Sequence, residues 1–191
     1  MAQENPSFIS LEPNIDERLD DGFYPIQTTS ERRYTDEESV DYLVYESLSR
    51  ILSDRSGEYN ILDIGSSSGE ALDNLTKKLS QETNCRFNEL ALDPSNEMSR
   101  KCYEDQDQSS FRAMGQKLPF ETNSIDLVVS SQLHLNSDDI DRVVEEINRV
   151  LDPSGYAVLS SGYNSRTNYQ GIHRDESIPT ENLPETQFNR Q

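Results

Sequence analysis

The residues best able to do chemistry are two aspartates and one glycine-bounded turn. Asp63 lies inside N-I-L-D-I-G-S-S-S-G (residues 60–69), a short apolar run that breaks into glycine and three serines. Asp93 ends a second apolar run, in L-A-L-D-P-S-N-E-M. A glycine directly after a strand lets the chain turn sharply and lets a ligand approach bare backbone. Gly65 and Gly69 meet those two needs, and a helix beginning behind them would offer free N–H groups. An acidic residue about twenty or more positions past such a turn is placed to accept hydrogen bonds from ribose hydroxyls. Each feature also has a plainer reading: a tight strand-to-helix turn, and an aspartate capping the helix that follows it. Coupled at this separation, they favour a site for a nucleoside cofactor. The turn is neither a G-x-G-x-x-G fingerprint nor a P-loop, because the third glycine and the G-K-[ST] triplet are absent.

The remaining titratable groups say less. His134 and His173 are the only histidines. His134 stands just past an apolar run, where a loop histidine facing solvent competes with a general base. His173 falls in a polar tail and carries no expectation. Cys85 and Cys102 are isolated thiols without C-x-x-C spacing, so neither a disulfide framework nor a zinc site is expected. The acidic clusters at 16–21, 36–38 and Glu145-Glu146 read as solvated faces rather than metal sites.

These groups must be positioned by the elements around them. Thr35-Asp36-Glu37-Glu38 predicts a capping box, with Thr35 as N-cap of a helix running to about Ser53. From there short apolar runs alternate with helical patterns. Strands are predicted over Tyr59–Ile64, Phe87–Leu92, Phe111–Ala113, Ser124–Ser130 and Tyr156–Ser161. Helices are predicted over Glu70–Leu79, Ser95–Tyr103 and Asp138–Leu151, the last with Ile140, Val143, Val144, Ile147 and Leu151 in register. Strands separated by helices make parallel βαβ units, so the class is α/β with an open, doubly wound sheet. Residues 1–34 read as a mostly irregular polar segment, in which Phe8-Ile9 and Phe23-Tyr24 could dock on a core. Residues 35–162 form the domain, and 163–191 a polar tail without period, read as disordered.

Composition limits the partners. The 191 residues suffice for one domain with a sizeable core. The formal charge is −19 and the pI about 4.3, which argues against binding a nucleic-acid backbone, since that needs basic residues. Lysine is confined to positions 77, 78, 101 and 117, and the acidic, Ser- and Asn-rich surface resembles that of proteins from salt-loving cytoplasms. Acidic disordered ends are the alternative source of that charge. No apolar h-region opens the chain and no stretch is long enough to span a bilayer, so a cytoplasmic location is expected.

Four motifs in order are more specific than any one of them. They are D-I-G-S-S-S-G, then L-D-P-S, then L-P-F with S-I-D-L-V-V-S and L-H, then E-I-N-R-V-L-D-P-S-G. This series resembles the class I S-adenosylmethionine (SAM)-dependent methyltransferases, in the broad group that includes the ubiquinone/menaquinone-biosynthesis enzymes. The resemblance covers roughly residues 60–161 and implies a Rossmann-like, mostly parallel sheet with SAM as cofactor. It implies that Asp63 and Gly65, Ser66, Ser67 and Gly69 hold the amino-acid part of SAM, and that Asp93 binds the ribose with Met98 packed nearby. Met114 and Gly115 fall where the family reads the adenine edge, and Ser130 and Ser131 would border the sulfonium and substrate pocket. His134 is the one weak candidate for a catalytic base. Methyl transfer to an unidentified, small-molecule acceptor is implied; the alternative is a non-catalytic or truncated relative acting as a SAM-binding or assembly partner. The chain departs from the family in having Ser67 for the middle glycine and Met114 for the adenine-reading acid. It also lacks a recognisable final strand pair, which would leave the fifth strand as an open edge where a homo- or hetero-oligomer could form. The N-P-P-Y-type tetrapeptide of amide- and adenine-methylating relatives is absent after the fourth strand, where S-S-Q-L stands.

Overall fold

A computed structural model describes residues 8–10, 34–37, 39, 41–106, 108–131, 137–161 and 168–173. In chain order the elements are β1 (Phe8–Ser10), α1 (Tyr42–Leu52), β2 (Ser56–Ile64), α2 (Glu70–Glu82), β3 (Asn84–Asp93), α3 (Asn96–Gln106), β4 (Ser109–Arg112), β5 (Ile125–Ser131), α4 (Ser137–Val150), β6 (Leu151–Ser161) and β7 (Asn168–His173). They build one sheet in the order β1-β4-β3-β2-β5-β6-β7, parallel throughout except for the β6–β7 pair. The chain leaves β2 toward β3 and β4, then returns to lay β5 and β6 on its other side. The strand order therefore reverses at β2, and such a switch point opens a crevice at the carboxyl ends of the strands.

Helices cover both faces, which is why the strands read as nearly unbroken apolar runs. On one face Val44, Leu48 and Leu52 of α1 and Leu72, Leu75 and Leu79 of α2 pack on Ile61, Ala91, Leu127 and Val129. On the other, Val143, Ile147 and Val150 of α4 pack on Leu62, Ile64, Leu92 and Val128. Burying each such side chain contributes about 1.5–3 kcal/mol. The α4 stripe is rotated from the predicted one: Ile140 is 43% exposed, and Leu151 begins β6.

The first helix starts later than the capping box predicts. Tyr42 opens α1 and Asp41 is its N-cap, while Thr35 lies in turn structure just ahead of the bond that Ser39 N–H donates to Asp36 O at 2.9 Å. The cause is Tyr34, fully buried in the α1/α2 core, which draws the preceding segment against the domain. The Asp152-Pro153-Ser154-Gly155 turn lies inside β6. There Ser154 N–H and Oγ both donate to Asp152 Oδ1, and the pairing with β5 shifts register between Ile125 and Leu127. A bulge is where proline, which has no N–H to give the ladder, can sit within a strand.

Both ends of the sheet depart from expectation. Phe8-Ile9 does dock, as β1 pairing parallel to β4, whereas Phe23-Tyr24 lies outside the described residues. The edge expected to be open is paired: β7 runs antiparallel to β6, from Tyr156↔His173 to Ser161↔Asn168. The segment read as tail thus supplies a strand. N-Y-Q-G-I-H has no apolar alternation, but an edge strand is held by its backbone ladder and needs no buried face.

One acidic pair read as a solvated face also has a structural duty. Glu146 Oε2 accepts from Leu118 N–H at 2.7 Å, and Glu146 is in turn bonded by Arg149 Nε and Nη2 at 2.6 and 2.7 Å. Arg149 also donates to Phe120 O and Leu118 O at 2.8 and 2.9 Å, so the two residues clamp the L-P-F loop onto α4. Glu145, its neighbour, is not part of that clamp. The Arg149 guanidinium holds the Glu146 carboxyl below its ordinary range. A carboxyl lowered on folding stabilises above its unfolded pKa, and that contribution is lost as pH falls through the folded one. Glu146→Gln is expected to cost about 1 kcal/mol at neutral pH, a figure limited by partial exposure. Thermal unfolding should show the gap between variant and wild type narrowing as pH falls below the ordinary carboxylate range; a gap that does not narrow would refute the linkage.

Candidate functional site

The crevice at the switch point is formed by the ends of β2, β3 and β5 and the turn over residues 65–69. The turn is tied down from the sheet: Gly65 and Ser66 N–H both donate to Leu92 O, at 2.8 and 3.0 Å, and Gly69 N–H donates to Ser66 O at 3.0 Å. Gly65 and Gly69 take φ +79°, and Ser67 takes φ +54°. The left-handed conformation costs a side-chain-bearing residue about 1–2 kcal/mol, which explains why a glycine is at home here and marks Ser67 as strained.

Ser67 is held in place by what it touches. Its N–H donates to Asp93 Oδ2 at 3.0 Å, and its hydroxyl lies 3.4 Å from Met98 Sδ. Asp93 Oδ1 accepts from Ser95 N–H at 2.9 Å, and Ser99 Oγ donates to Asp93 O, also at 2.9 Å. The 5%-exposed Asp93 therefore has two structural duties. It organises the start of α3, and it staples the β2 turn to β3.

Asp63 lies one residue before the strand end and is fully buried, its Oδ1 accepting from Tyr34 Oη–H at 3.0 Å. Tyr34 carried no signal in the sequence, because it reaches the site from a turn 29 positions upstream. Ser130 points its hydroxyl back into the sheet, donating to Ile64 O at 2.6 Å, so it braces β5 against β2. Ser131 Oγ is buried at the same strand end and has no hydrogen-bond partner among the described residues. Gly115 lies against Ile64 and Val143, where a Cβ would stand 3.3 and 3.2 Å from their Cγ2 atoms. Met114 is half-buried beside it. The turn over residues 114–117 thus adjoins the end of β2. Within it Gln116 Oε1 is buried and unpartnered among the described residues. His134 lies outside the described residues. His173 is placed in β7, opposite Tyr156. No group of three metal-ligating side chains occurs among the described residues.

A second layer under the turn was not legible in the sequence. A Cβ on Gly69 would collide with the Gln108 amide oxygen and stand 2.5 Å from Cys102 Sγ. Gln108 Nε2 donates to Gly69 O at 3.2 Å and to Glu89 Oε2, while Cys102 Sγ donates to Gln108 Oε1 at 3.0 Å. Burial pushes the Cys102 thiol up to about 12, so it stays a neutral donor. Gly69 is required by the protein's own packing, apart from any ligand.

The motif order on this fold is matched by a family model described as a methyltransferase domain over residues 62–159, just over half of the chain. The chain belongs to that methyltransferase-domain family. Solved structures agree on the fold. A protein from Galdieria sulphuraria, provisionally assigned as a sarcosine dimethylglycine methyltransferase, superposes with TM-score 0.53 at 21% identity over 63% of this chain and 44% of its own. A SAM-dependent methyltransferase from Leishmania major gives 0.51 at 18% identity, over 66% and 54%. A provisionally assigned SAM-dependent methyltransferase from Methanococcus maripaludis gives 0.50 at 21%, over 63% and 55%. The chain spans about half the length of these structures. No curated protein matches it. Membership of the methyltransferase family implies SAM as the cofactor.

The residues of this methyltransferase domain fit that group. Two buried carboxylates, Asp63 and Asp93, end adjacent strands and set a negative potential suited to a cationic sulfonium and ammonium. Ser131 Oγ and Gln116 Oε1 are polar atoms still to be satisfied, and a buried polar group is costly until it is.

Proposed function

We propose that the chain is a SAM-dependent methyltransferase that methylates a small-molecule acceptor. The observation that carries this reading is the left-handed turn at Ser67, stapled to the buried carboxylate of Asp93 at the switch point of the sheet. That staple fixes the 65–69 turn at the rim of the crevice, with the Asp93 carboxylate beside it for ribose hydroxyls. Asp63 supplies negative charge and is braced by Tyr34; Met98 and the 114–116 turn supply the walls. When bound, the sulfonium offers an electrophilic methyl group for in-line displacement, a reaction helped mostly by positioning. Positioning is what this network of backbone bonds provides. Among the described residues no helix is long and apolar enough to cross a membrane, and the −19 charge suits a salt-rich cytoplasm and a soluble, non-nucleic acceptor.

S-adenosylhomocysteine tests the reading without knowledge of the acceptor. Thermal unfolding in concentrated KCl is expected to shift upward with ligand, by about 2.7 kcal/mol at 100 times its dissociation constant. No shift at millimolar ligand refutes the proposal.

A further inference from the structure

Beneath the cofactor turn, the hydrogen atoms can be counted. Thr76 Oγ1 lies 3.1 Å from Asp73 O and also contacts Glu89 Oε1. A threonine hydroxyl has one hydrogen, a backbone carbonyl has none, and an ionised carboxylate has none. With Glu89 ionised, one of the two contacts would set lone pair against lone pair. The amide of Gln108 cannot resolve this. Its two hydrogens are committed to Gly69 O and Glu89 Oε2, and its oxygen takes the Cys102 thiol. One additional proton, on Glu89 Oε1, satisfies every contact: Glu89 donates to Thr76, and Thr76 donates to Asp73 O.

We infer that Glu89 is a protonated positioning residue whose two oxygens join α2, through Thr76, to Gln108, and so hold the Gly69 carbonyl that begins α2 beneath the cofactor turn. Gly69 is the N-cap of α2, and its carbonyl also receives Asp73 N–H at 3.1 Å. The strut therefore fixes the point at which the turn becomes a helix. Burial drives the Glu89 carboxyl upward, in the direction that the proton count requires. The titratable and charged groups that face it are Asp73 and Lys77 of α2 and Cys102 of α3. The Thr76 and Gln108 contacts oppose that shift, Asp73 adds to it and Lys77 opposes it, and burial outweighs them. A carboxyl raised on folding stabilises fully below its unfolded pKa, and the contribution is lost as pH rises through the folded value. The turn is thus braced while Glu89 holds its proton and loosens when Glu89 ionises.

The role of the strut toward the cofactor rests on the function proposed above, but the strut itself is tested without ligand. Glutamine keeps one oxygen to accept from Gln108 and offers an N–H to Thr76, so Glu89→Gln mimics the protonated acid. Thermal unfolding followed from below the ordinary glutamate range up to about pH 9 is expected to show wild type losing stability as pH rises. Glu89→Gln should equal wild type at the acid end and lack that decline, and Glu89→Leu should be weaker throughout. Should Glu89→Leu fail to fold, the Glu89→Gln profile decides alone. A Glu89→Gln protein as destabilised as Glu89→Leu, or one whose pH profile parallels that of wild type, overturns the inference. Calorimetric titration with S-adenosylhomocysteine then reads positioning: at about pH 9, Glu89→Gln is expected to bind several-fold more tightly than wild type. Equal affinity at both ends of the pH range would remove the link to the turn. No binding to wild type at any pH would instead defeat the proposed function, leaving the unliganded profiles to decide the strut.

Discussion

Asp93→Ala is expected to weaken S-adenosylhomocysteine binding by at least about a hundredfold, equivalent to about 2.7 kcal/mol. Two losses combine in that figure. The ribose loses its acceptor, and Ser67 N–H loses the bond that holds a strained residue in its left-handed conformation. Hydrogen bonds to a charged acceptor contribute about 1.5–3 kcal/mol each, and Ser95 N–H depends on the same carboxylate. The unliganded variant should therefore also lose about 2–4 kcal/mol in denaturant unfolding. Asp93→Asn separates the two effects. Its one remaining oxygen can serve either Ser67 or Ser95, so stability should fall between wild type and alanine while the ligand stays weak. A folded Asp93→Ala protein that binds S-adenosylhomocysteine like wild type would remove Asp93 from the cofactor site.

Gly69→Ala is expected to produce the largest change in stability of any single methyl addition to the turn. The φ of +79° alone costs an alanine about 1–2 kcal/mol. The added Cβ meets Gln108 and Cys102, both fully packed against other groups, and overpacking of a core costs about 1–3 kcal/mol more. A total of about 2–5 kcal/mol corresponds to a fall in Tm of roughly 5–15 °C for a domain of this size. A Tm unchanged within a degree would mean that the Gln108 strut is not where the structure places it. Gly57 is the natural control: it too has a positive φ, +130°, but nothing stands within 4 Å of its Cβ position. Gly57→Ala should therefore pay the backbone term alone.

The parts that sequence reading recovered share a physical basis. The parallel core of β2 to β6 and its helices follow from apolar periodicity, because each of those elements buries a face against its neighbours. Asp93 was assigned from its separation from Gly65, and the structure brings the two together because β2 and β3 lie side by side. The start of α1 was misplaced because Thr35 and Glu38 satisfy a local rule that the burial of Tyr34 overrides. β7 was missed because an edge strand of polar residues is held by backbone bonds, which leave no trace in side-chain pattern. Glu146 was taken for a solvated acid because nothing local announces the Leu118 and Arg149 groups that meet it.

Local order and spacing are short-range properties, so the chain's letters alone determined the α/β class, the turn at 65–69 and the carboxylate that answers it. What surrounds that turn was decided only in three dimensions. Tyr34 on Asp63, the Glu89–Gln108–Cys102 group under Gly69, and β7 along β6 each join residues far apart in sequence or paired through the backbone. Such partners are chosen by which groups burial leaves in need of a donor or acceptor. That need exists only once the sheet has closed around them.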